Sequence, residues 1–140
     1  MRLSSCIRKR FMKKEHVKEL MIYIHIPFCV KKCLYCDFLS APADDAAKKA
    51  YMEALCREIH EKSRDYRDYD VSSIFFGGGT PTAVDPEWIR QIMQLLREDY
   101  HIAEDAEITM EMNPGTVSQK DMTVYAAAGI NRLSMGLQSA

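Results

Sequence analysis

Three cysteines, Cys29, Cys33 and Cys36, lie close together in one short stretch of the chain. They directly follow an apolar run that is typical of a β-strand. Three thiolates within eight residues can converge on one metal centre, because soft sulfur ligands suit zinc and iron–sulfur clusters. Structural sites of either kind usually take four protein ligands, so three thiolates leave one coordination position open for a small molecule.

The same spacing also permits a zinc site with His25 or Asp37 as the fourth ligand. His25 is the weaker candidate, since a strand over residues 21–26 would hold it away from the cysteine-containing loop. Asp37 would place a hard oxygen beside soft sulfurs, which zinc accepts and iron–sulfur clusters disfavour. Cys6 and Cys56 are not expected to be ligands, and Cys56 falls in a helical pattern as a small core residue.

Composition excludes several classes of protein. The chain has 140 residues, enough for one modest domain, and its formal net charge of -1 gives no sign of a nucleic-acid or anionic-membrane partner. No apolar stretch approaches the length of a membrane span. An odd number of cysteines, five, with three in one ligand triplet, indicates a reducing compartment, so we expect a cytoplasmic protein.

The first twenty residues are rich in lysine and arginine and lack the apolar centre of a secretory signal. We therefore expect residues 1–20 to be a basic leader outside the fold, or to reflect a start codon placed too early, since Met21 directly opens the first strand. Residues 21–140 are then the domain.

Strand-like and helix-like segments alternate along this domain. Strands are predicted at 22–27, 71–76, 107–112 and 131–137. The helices between them are predicted from about 44 to 64, from Asp85-Pro86 onward, and from Ser118 to Gly129, with capping residues at their ends. This alternation predicts right-handed crossovers and a parallel α/β sheet.

The last two strands are apolar on one face only. Ile108, Met110 and Met112 alternate with polar residues, and a similar alternation runs through residues 132–138. We expect helices on the apolar face and a polar cavity on the other, although a two-layer fold with one wet face would show the same pattern. Active sites of parallel α/β folds lie at the carboxyl ends of strands, where Cys29, Gly77, Glu111 and Gln138 fall.

A glycine stretch, residues 77–81 (GGGTP), follows the second strand. Glycines let a ligand approach the backbone closely, although such a turn alone is a weak signal. Together with the cysteine triplet and with residues 23–29 (YIHIPFC), 111–114 (EMNP) and 131–139 (NRLSMGLQS), it resembles the radical-SAM superfamily. Within that superfamily the chain is similar to the oxygen-independent coproporphyrinogen III oxidase-like family.

The resemblance implies a partial parallel (β/α) barrel, of which about four strands and three helices are present. It implies that Cys29, Cys33 and Cys36 bind a [4Fe–4S] cluster whose open iron chelates S-adenosylmethionine (SAM). By the same resemblance, Tyr23 and Tyr35 flank the cluster and SAM, Gly78, Gly79 and Thr80 contact the methionine part of SAM, and Glu111 and Gln138 reach SAM from the third and fourth strands.

Phe38 stands where the true oxidase carries a fourth cysteine, which favours the haem-chaperone (HemW-type) branch. The resemblance then implies haem as a further ligand and haem-acceptor proteins as partners. For the oxidase branch it implies a porphyrinogen substrate and radical decarboxylation. Both branches imply an electron donor such as flavodoxin or ferredoxin.

A competing class is a non-catalytic zinc or iron–sulfur binding module. Family members run to several hundred residues, so we expect the chain to be an N-terminal fragment.

Overall fold

The computed structural model describes residues 18–31, 36–37 and 39–136. Over these residues the strands are β1 (Lys18–Ile26), β2 (Tyr69–Gly78), β3 (His101–Met112) and β4 (Arg132–Met135), and the helices are α1 (Asp45–Lys62), α2 (Pro86–Asp99) and α3 (Gln119–Ala128). All strands are parallel in the order β1-β2-β3-β4, which confirms the α/β prediction. No helix in the described ranges is long and apolar enough to cross a membrane.

The helices begin at the capping residues that the sequence indicated. The carboxylates of Asp44 and Asp85 each accept a backbone N–H from the first turn of their helix, at 2.8 and 2.9 Å. Ser118 and Asp121 exchange side-chain-to-backbone bonds in a complete capping box, and α3 ends at Gly129. These contacts satisfy amide groups that a helix leaves free at its N-terminus, so each helix start is fixed locally.

One face of the sheet forms the hydrophobic core. Ile24, Phe76 and Met110 lie side by side on neighbouring strands and are at most 3% exposed. In α2 the spacing i, i+3, i+4, i+7 predicts one buried face, and all four of its residues are fully buried: Ile89, Ile92, Met93 and Leu96. The helices therefore cover this face, as predicted.

The four-residue spacing of Ala47, Tyr51, Leu55 and Ile59 predicts that these residues form the buried stripe of α1, and this prediction is partly wrong. Ile59 is buried and Tyr51 and Leu55 are partly buried, but Ala47 is exposed, while Met52 is buried instead. A four-residue step advances about 40° beyond a full turn at 3.6 residues per turn, so Ala47 lies roughly 120° around the helix from Ile59.

The opposite face carries a more polar row. Tyr23, Phe75, Thr109 and Arg132 occupy matching positions on the four strands. Arg132 pairs with Glu107 at 3.1 Å, and the Thr109 hydroxyl donates to the same carboxylate at 3.0 Å. Thr109 is only 1% exposed, so this ion pair and its neighbours cover it. The two faces thus differ in polarity as the alternation predicted.

The first three strands begin earlier than predicted, and in β1 and β3 irregularities interrupt the alternation. β3 starts at His101, and its register against β2 jumps between Ile102 and Glu107, leaving residues 103–106 as an extra segment. β1 starts at Lys18 and has a shift at Leu20. A bulge breaks the period of two on which strand prediction depends. Residues 18–20, expected in the leader, therefore belong to β1, and residues 1–17 lie outside the described residues.

Met93→Ala is expected to lower the free energy of unfolding by about 2–5 kcal/mol, because truncating a fully buried side chain leaves a cavity. The matched control is Met21→Ala. Met21 is 77% exposed, so this change should stay within about 0.5 kcal/mol. Urea unfolding followed by circular dichroism measures both variants. Equal losses in the two would contradict the packing of α2 against the sheet.

Candidate cofactor site at the carboxyl ends of the strands

The loop after β1, residues 27–44, contains the cysteines and is called the cysteine loop here. Its backbone is joined to the glycine stretch after β2. The Gly79 N–H donates to the Ile26 carbonyl at 2.8 Å, and the Thr80 N–H donates to the Phe28 carbonyl at 2.7 Å. The Cys29 N–H in turn donates to the Ala41 carbonyl at 3.2 Å, which brings the later part of the loop back onto its start. Parallel pairing therefore continues past the ends of the two strands and fixes the position of Cys29.

Two glycines permit this contact. Gly78 has φ of 115°, a conformation that other residues rarely adopt, and a Cβ there would lie 2.7 Å from the His25 ring. A Cβ on Gly79 would lie 2.5 Å from the Phe28 carbonyl oxygen. The sequence predicted that these glycines admit a ligand. At Gly79 it is the backbone of the cysteine loop that makes the close approach.

Thr80 connects three loops. It is 4% exposed, and its hydroxyl lies 3.9 Å from the Cys29 sulfur as a donor. The Asn113 side-chain amide donates to the same hydroxyl oxygen at 3.1 Å. Since Cys29, Thr80 and Asn113 follow β1, β2 and β3 respectively, these bonds tie together the carboxyl ends of three strands.

A cavity of about 290 Å³ lies beside this junction. Glu111, half-buried near the end of β3, is one of the residues that line this cavity. A Cβ on Gly77 would lie 3.1 Å from the Glu111 carboxylate, so the glycine stretch and this acid are close neighbours. The other lining residues come from the ends of β2, β3 and β4: Gly79, Thr80, Pro81, Met112, Asn113, Ser134, Met135 and Gly136.

His25 contacts the cysteine loop, and the expectation that a strand would hold it away is wrong. Its Nε2 lies 3.2 Å from the Leu39 carbonyl oxygen, which can only accept a hydrogen bond, so Nε2 carries the hydrogen. In the neutral ring, Nδ1 then accepts from the Tyr23 hydroxyl at 3.2 Å. Burial, and then the Glu111 carboxylate, raise the pKa of the Tyr23 phenol. Both ring nitrogens are engaged, so His25 holds the loop.

The predicted thiolate ligands are only partly described. Cys29 and Cys36 are half-buried free thiols, and Cys33 lies outside the described residues. Within the described ranges, no group of three His, Cys, Asp or Glu side chains is arranged to hold a metal ion. The triplet therefore stays a prediction. Cys56 lies on α1 against the core, and burial raises the pKa of its thiol, as fits a packing role.

The remaining predicted site residues fall into three sets. Gly79, Thr80 and Glu111 line one cavity, and Gly78 lies beside them. Tyr23 is on the polar face of β1, with its ring stacked on Phe75 at 6.0 Å between centroids. Tyr35 and Gln138 lie outside the described residues.

Several contributors to the site were not identified as site residues from the sequence. Asn113 belongs to the stretch 111–114 (EMNP), but no role was predicted for it. The feature that could have identified it is a polar side chain directly after a predicted strand. For Ser134, the alternation of polar and apolar residues in β4 predicted a position on the polar face, but not a position in the cavity. Phe75 precedes another Phe in an apolar run, so its place on the polar face could not be predicted from the pattern of residues.

These features define a parallel α/β protein with a candidate cofactor site at the carboxyl edge of its sheet, built on a cysteine loop and a glycine stretch. The family model of the Radical SAM superfamily matches residues 23–140. The chain belongs to the Radical SAM superfamily.

Within this superfamily, the chain is similar to two kinds of named protein. The chain is 40% identical over 126 residues to the heme chaperone HemW of Escherichia coli, covering 86% of this chain and 32% of the relative. It is 38% identical over 122 residues to an oxygen-independent coproporphyrinogen III oxidase of Salmonella typhimurium, covering 86% and 27%. Among solved structures, the E. coli coproporphyrinogen III oxidase HemN, titled a Radical SAM enzyme, matches with a TM-score of 0.79 and 36% identity, over 86% of this chain and 28% of that one.

The chain therefore spans about a third of the length of these curated relatives. The shared part carries the cysteine loop and the glycine stretch, and the match to a solved structure extends over the same share of this chain. The similarity confirms the fold and the family that the motifs indicated.

Gly79→Ala is expected to separate the cysteine loop from β2, because the added Cβ would collide with the Phe28 carbonyl. We expect a loss of about 1–3 kcal/mol in the free energy of unfolding. The local readout is the Thr80 amide, which donates to Phe28 and should exchange its hydrogen faster in the variant.

The control is Gly115→Ala, where an added Cβ meets no atom within 4 Å. Its positive φ gives it a stability cost of its own, but exchange at Thr80 should be unaffected. Unchanged Thr80 exchange in Gly79→Ala would show that the contact between the two loops does not depend on this glycine.

Proposed function

We propose that the chain binds a [4Fe–4S] cluster through Cys29, Cys33 and Cys36, and SAM in the adjoining cavity. The observation that carries this proposal is the position of Thr80. Its hydroxyl contacts Cys29, and the same residue lines the cavity that contains Glu111. Thr80 therefore lies next to a soft ligand, the Cys29 sulfur, and beside the same cavity as a hard ligand, the Glu111 carboxylate. A metal centre with an attached polar cofactor needs ligands of both kinds.

The described residues fit these two groups. Cys29 and Cys36 are free thiols with partial exposure, which suits ligation by thiolates. The Glu111 carboxylate can accept hydrogen bonds from a positively charged amino group, and the Ser134 hydroxyl and the amide of Asn113 offer further polar partners. When bound, the reduced cluster supplies one electron to the sulfonium of SAM, and the protein orients and shields both groups.

The wider role we propose is in haem metabolism, as a haem chaperone-like protein. Phe38 in place of a fourth cysteine supports this branch, and the relatives include proteins named heme chaperones. The second candidate is oxidative decarboxylation of a coproporphyrinogen, which the similarity to a solved oxidase favours. The partners would be haem or a porphyrinogen, an electron donor of the flavodoxin or ferredoxin type and, for a chaperone, haem-acceptor proteins in the cytoplasm.

Anaerobic reconstitution of the chain with iron and sulfide tests the cofactor proposal. Broad visible absorption that bleaches with dithionite, and release of methionine on addition of SAM and dithionite, would support it. A colourless protein with one equivalent of zinc would support a zinc module instead. Titration with haem then separates the roles, because a stoichiometric Soret band is expected of a haem-binding chain and not of an enzyme that acts only on porphyrinogens.

Replacement of Cys29, Cys33 or Cys36 by Ala is expected to abolish cluster assembly, because each supplies one thiolate. Iron and sulfide content after reconstitution provides the measurement. Cys56→Ala is the matched control, since Cys56 packs on α1 against the core. Full loss of iron in Cys56→Ala, or full retention in Cys33→Ala, would refute the ligand set.

Glu111→Ala is expected to weaken SAM binding by about 1–3 kcal/mol, the usual loss for a hydrogen bond to a charged group. Glu107→Ala is the matched control. It removes the same side chain from the same strand and face, but Glu107 pairs with Arg132 and does not line the cavity. Thr109→Ala should also have a smaller effect than Glu111→Ala. Calorimetry on the reconstituted protein decides, and equal losses in the two Glu variants would remove the special role of Glu111.

A further inference from the structure

The hydroxyl of Thr80 has a definite direction. A threonine hydroxyl has one hydrogen to donate, and its oxygen can accept others. The Asn113 amide donates to this oxygen at 3.1 Å, so the hydroxyl hydrogen remains available for the Cys29 sulfur at 3.9 Å. The backbone bond from Thr80 to Phe28, at 2.7 Å, holds Thr80 against the residue that precedes Cys29.

We propose that Thr80 raises the reduction potential of the cluster by donating a hydrogen bond to the Cys29 thiolate, and that Asn113 orients the donor. This inference rests on the proposed cluster site. Thr80 acts here as a positioning and tuning residue for the metal ligand, in addition to any contact that it makes with SAM.

The physical reason is the charge on the cluster. Reduction by one electron adds negative charge to the sulfur ligands, and a hydrogen bond to a sulfur stabilises the more negative state. Thr80 is 4% exposed, so water competes little with its hydroxyl and the bond is stronger than it would be at the surface. A thiolate that ligates iron is also a better acceptor than the free thiol.

Thr80→Val removes the hydroxyl while keeping the branched shape of the side chain. In a dithionite titration of the reconstituted chain, monitored by electron paramagnetic resonance without SAM, we expect the ratio of reduced to oxidised cluster at a fixed potential to fall about tenfold. That change corresponds to about 59 mV for one electron. Thr80→Ser, which keeps the hydroxyl, should restore most of the ratio.

Thr82→Val is the matched control. Thr82 is buried two residues along the chain, and its hydroxyl bonds to the Thr116 hydroxyl at 2.9 Å instead of to a cysteine. The titration curve of this variant should match that of the unmodified chain. Leaving SAM out ensures that a role of Thr80 in binding SAM does not contribute to the result.

A double-mutant cycle tests the role of Asn113. Asn113→Asp supplies only acceptors, so the Thr80 hydroxyl should turn towards the new carboxylate and away from Cys29. The added charge lowers the potential by itself, and that contribution persists in the Thr80→Val background. A smaller effect of Asn113→Asp in that background than in the unmodified chain is the expected result, and identical effects would exclude the orienting role.

The outcomes distinguish the two proposals. If the unmodified chain assembles no cluster, the proposed function fails. If clusters assemble and the potentials of Thr80→Val and the unmodified chain agree, the cluster site stands and the inference about Thr80 fails. Should Thr80→Val hold no cluster, Thr80→Ala removes the same hydroxyl with a smaller side chain, and the same agreement of potentials would overturn the inference.

Discussion

The backbone contact between the cysteine loop and the glycine stretch is the constraint on which the site depends. Two hydrogen bonds, from Gly79 to Ile26 and from Thr80 to Phe28, continue the parallel pairing of β1 and β2 past the ends of the strands. A side chain at position 79 would meet the Phe28 carbonyl at 2.5 Å, so the contact requires glycine there. Because the contact fixes Phe28, it also fixes Cys29, and the position of the first metal-ligand candidate follows from a steric requirement on a neighbouring strand.

The cysteine loop is held at two separate places by side chains of different strands. Thr80 from the end of β2 contacts its beginning at Cys29, and His25 from β1 contacts its later part at Leu39. The His25 ring in turn accepts a hydrogen bond from the Tyr23 hydroxyl, and burial followed by the Glu111 carboxylate raises the pKa of that phenol. The polar face of the sheet therefore supports the cysteine loop as well as lining the site.

Local signals in the sequence predicted most of the fold and less of the site. The caps at Asp44, Asp85 and Ser118 and the buried face of α2 were predictable because they depend on residues within one or two turns. The start of β3 was not, since a register irregularity between Val71 and Ser73 of its partner strand breaks the alternation. The site residues lie at predicted strand ends, but their partners do not follow from spacing. Nothing in the order of residues indicates that Thr80 contacts Cys29, which is 51 positions away.

Each strand of the sheet contributes a different kind of chemical group to the site. Thiols follow β1, glycine backbone follows β2, the Glu111 carboxylate lies on β3 and the Ser134 hydroxyl on β4. Neighbouring strands are about 4.8 Å apart, so the backbones of β1 and β3 lie roughly 10 Å apart across the sheet. A ligand that spans this distance needs one end suited to a soft metal centre and another that carries a group for a carboxylate. The glycine stretch after β2 serves two requirements at once, because Gly79 lets the backbone of the cysteine loop approach and also lines the cavity that Glu111 lines.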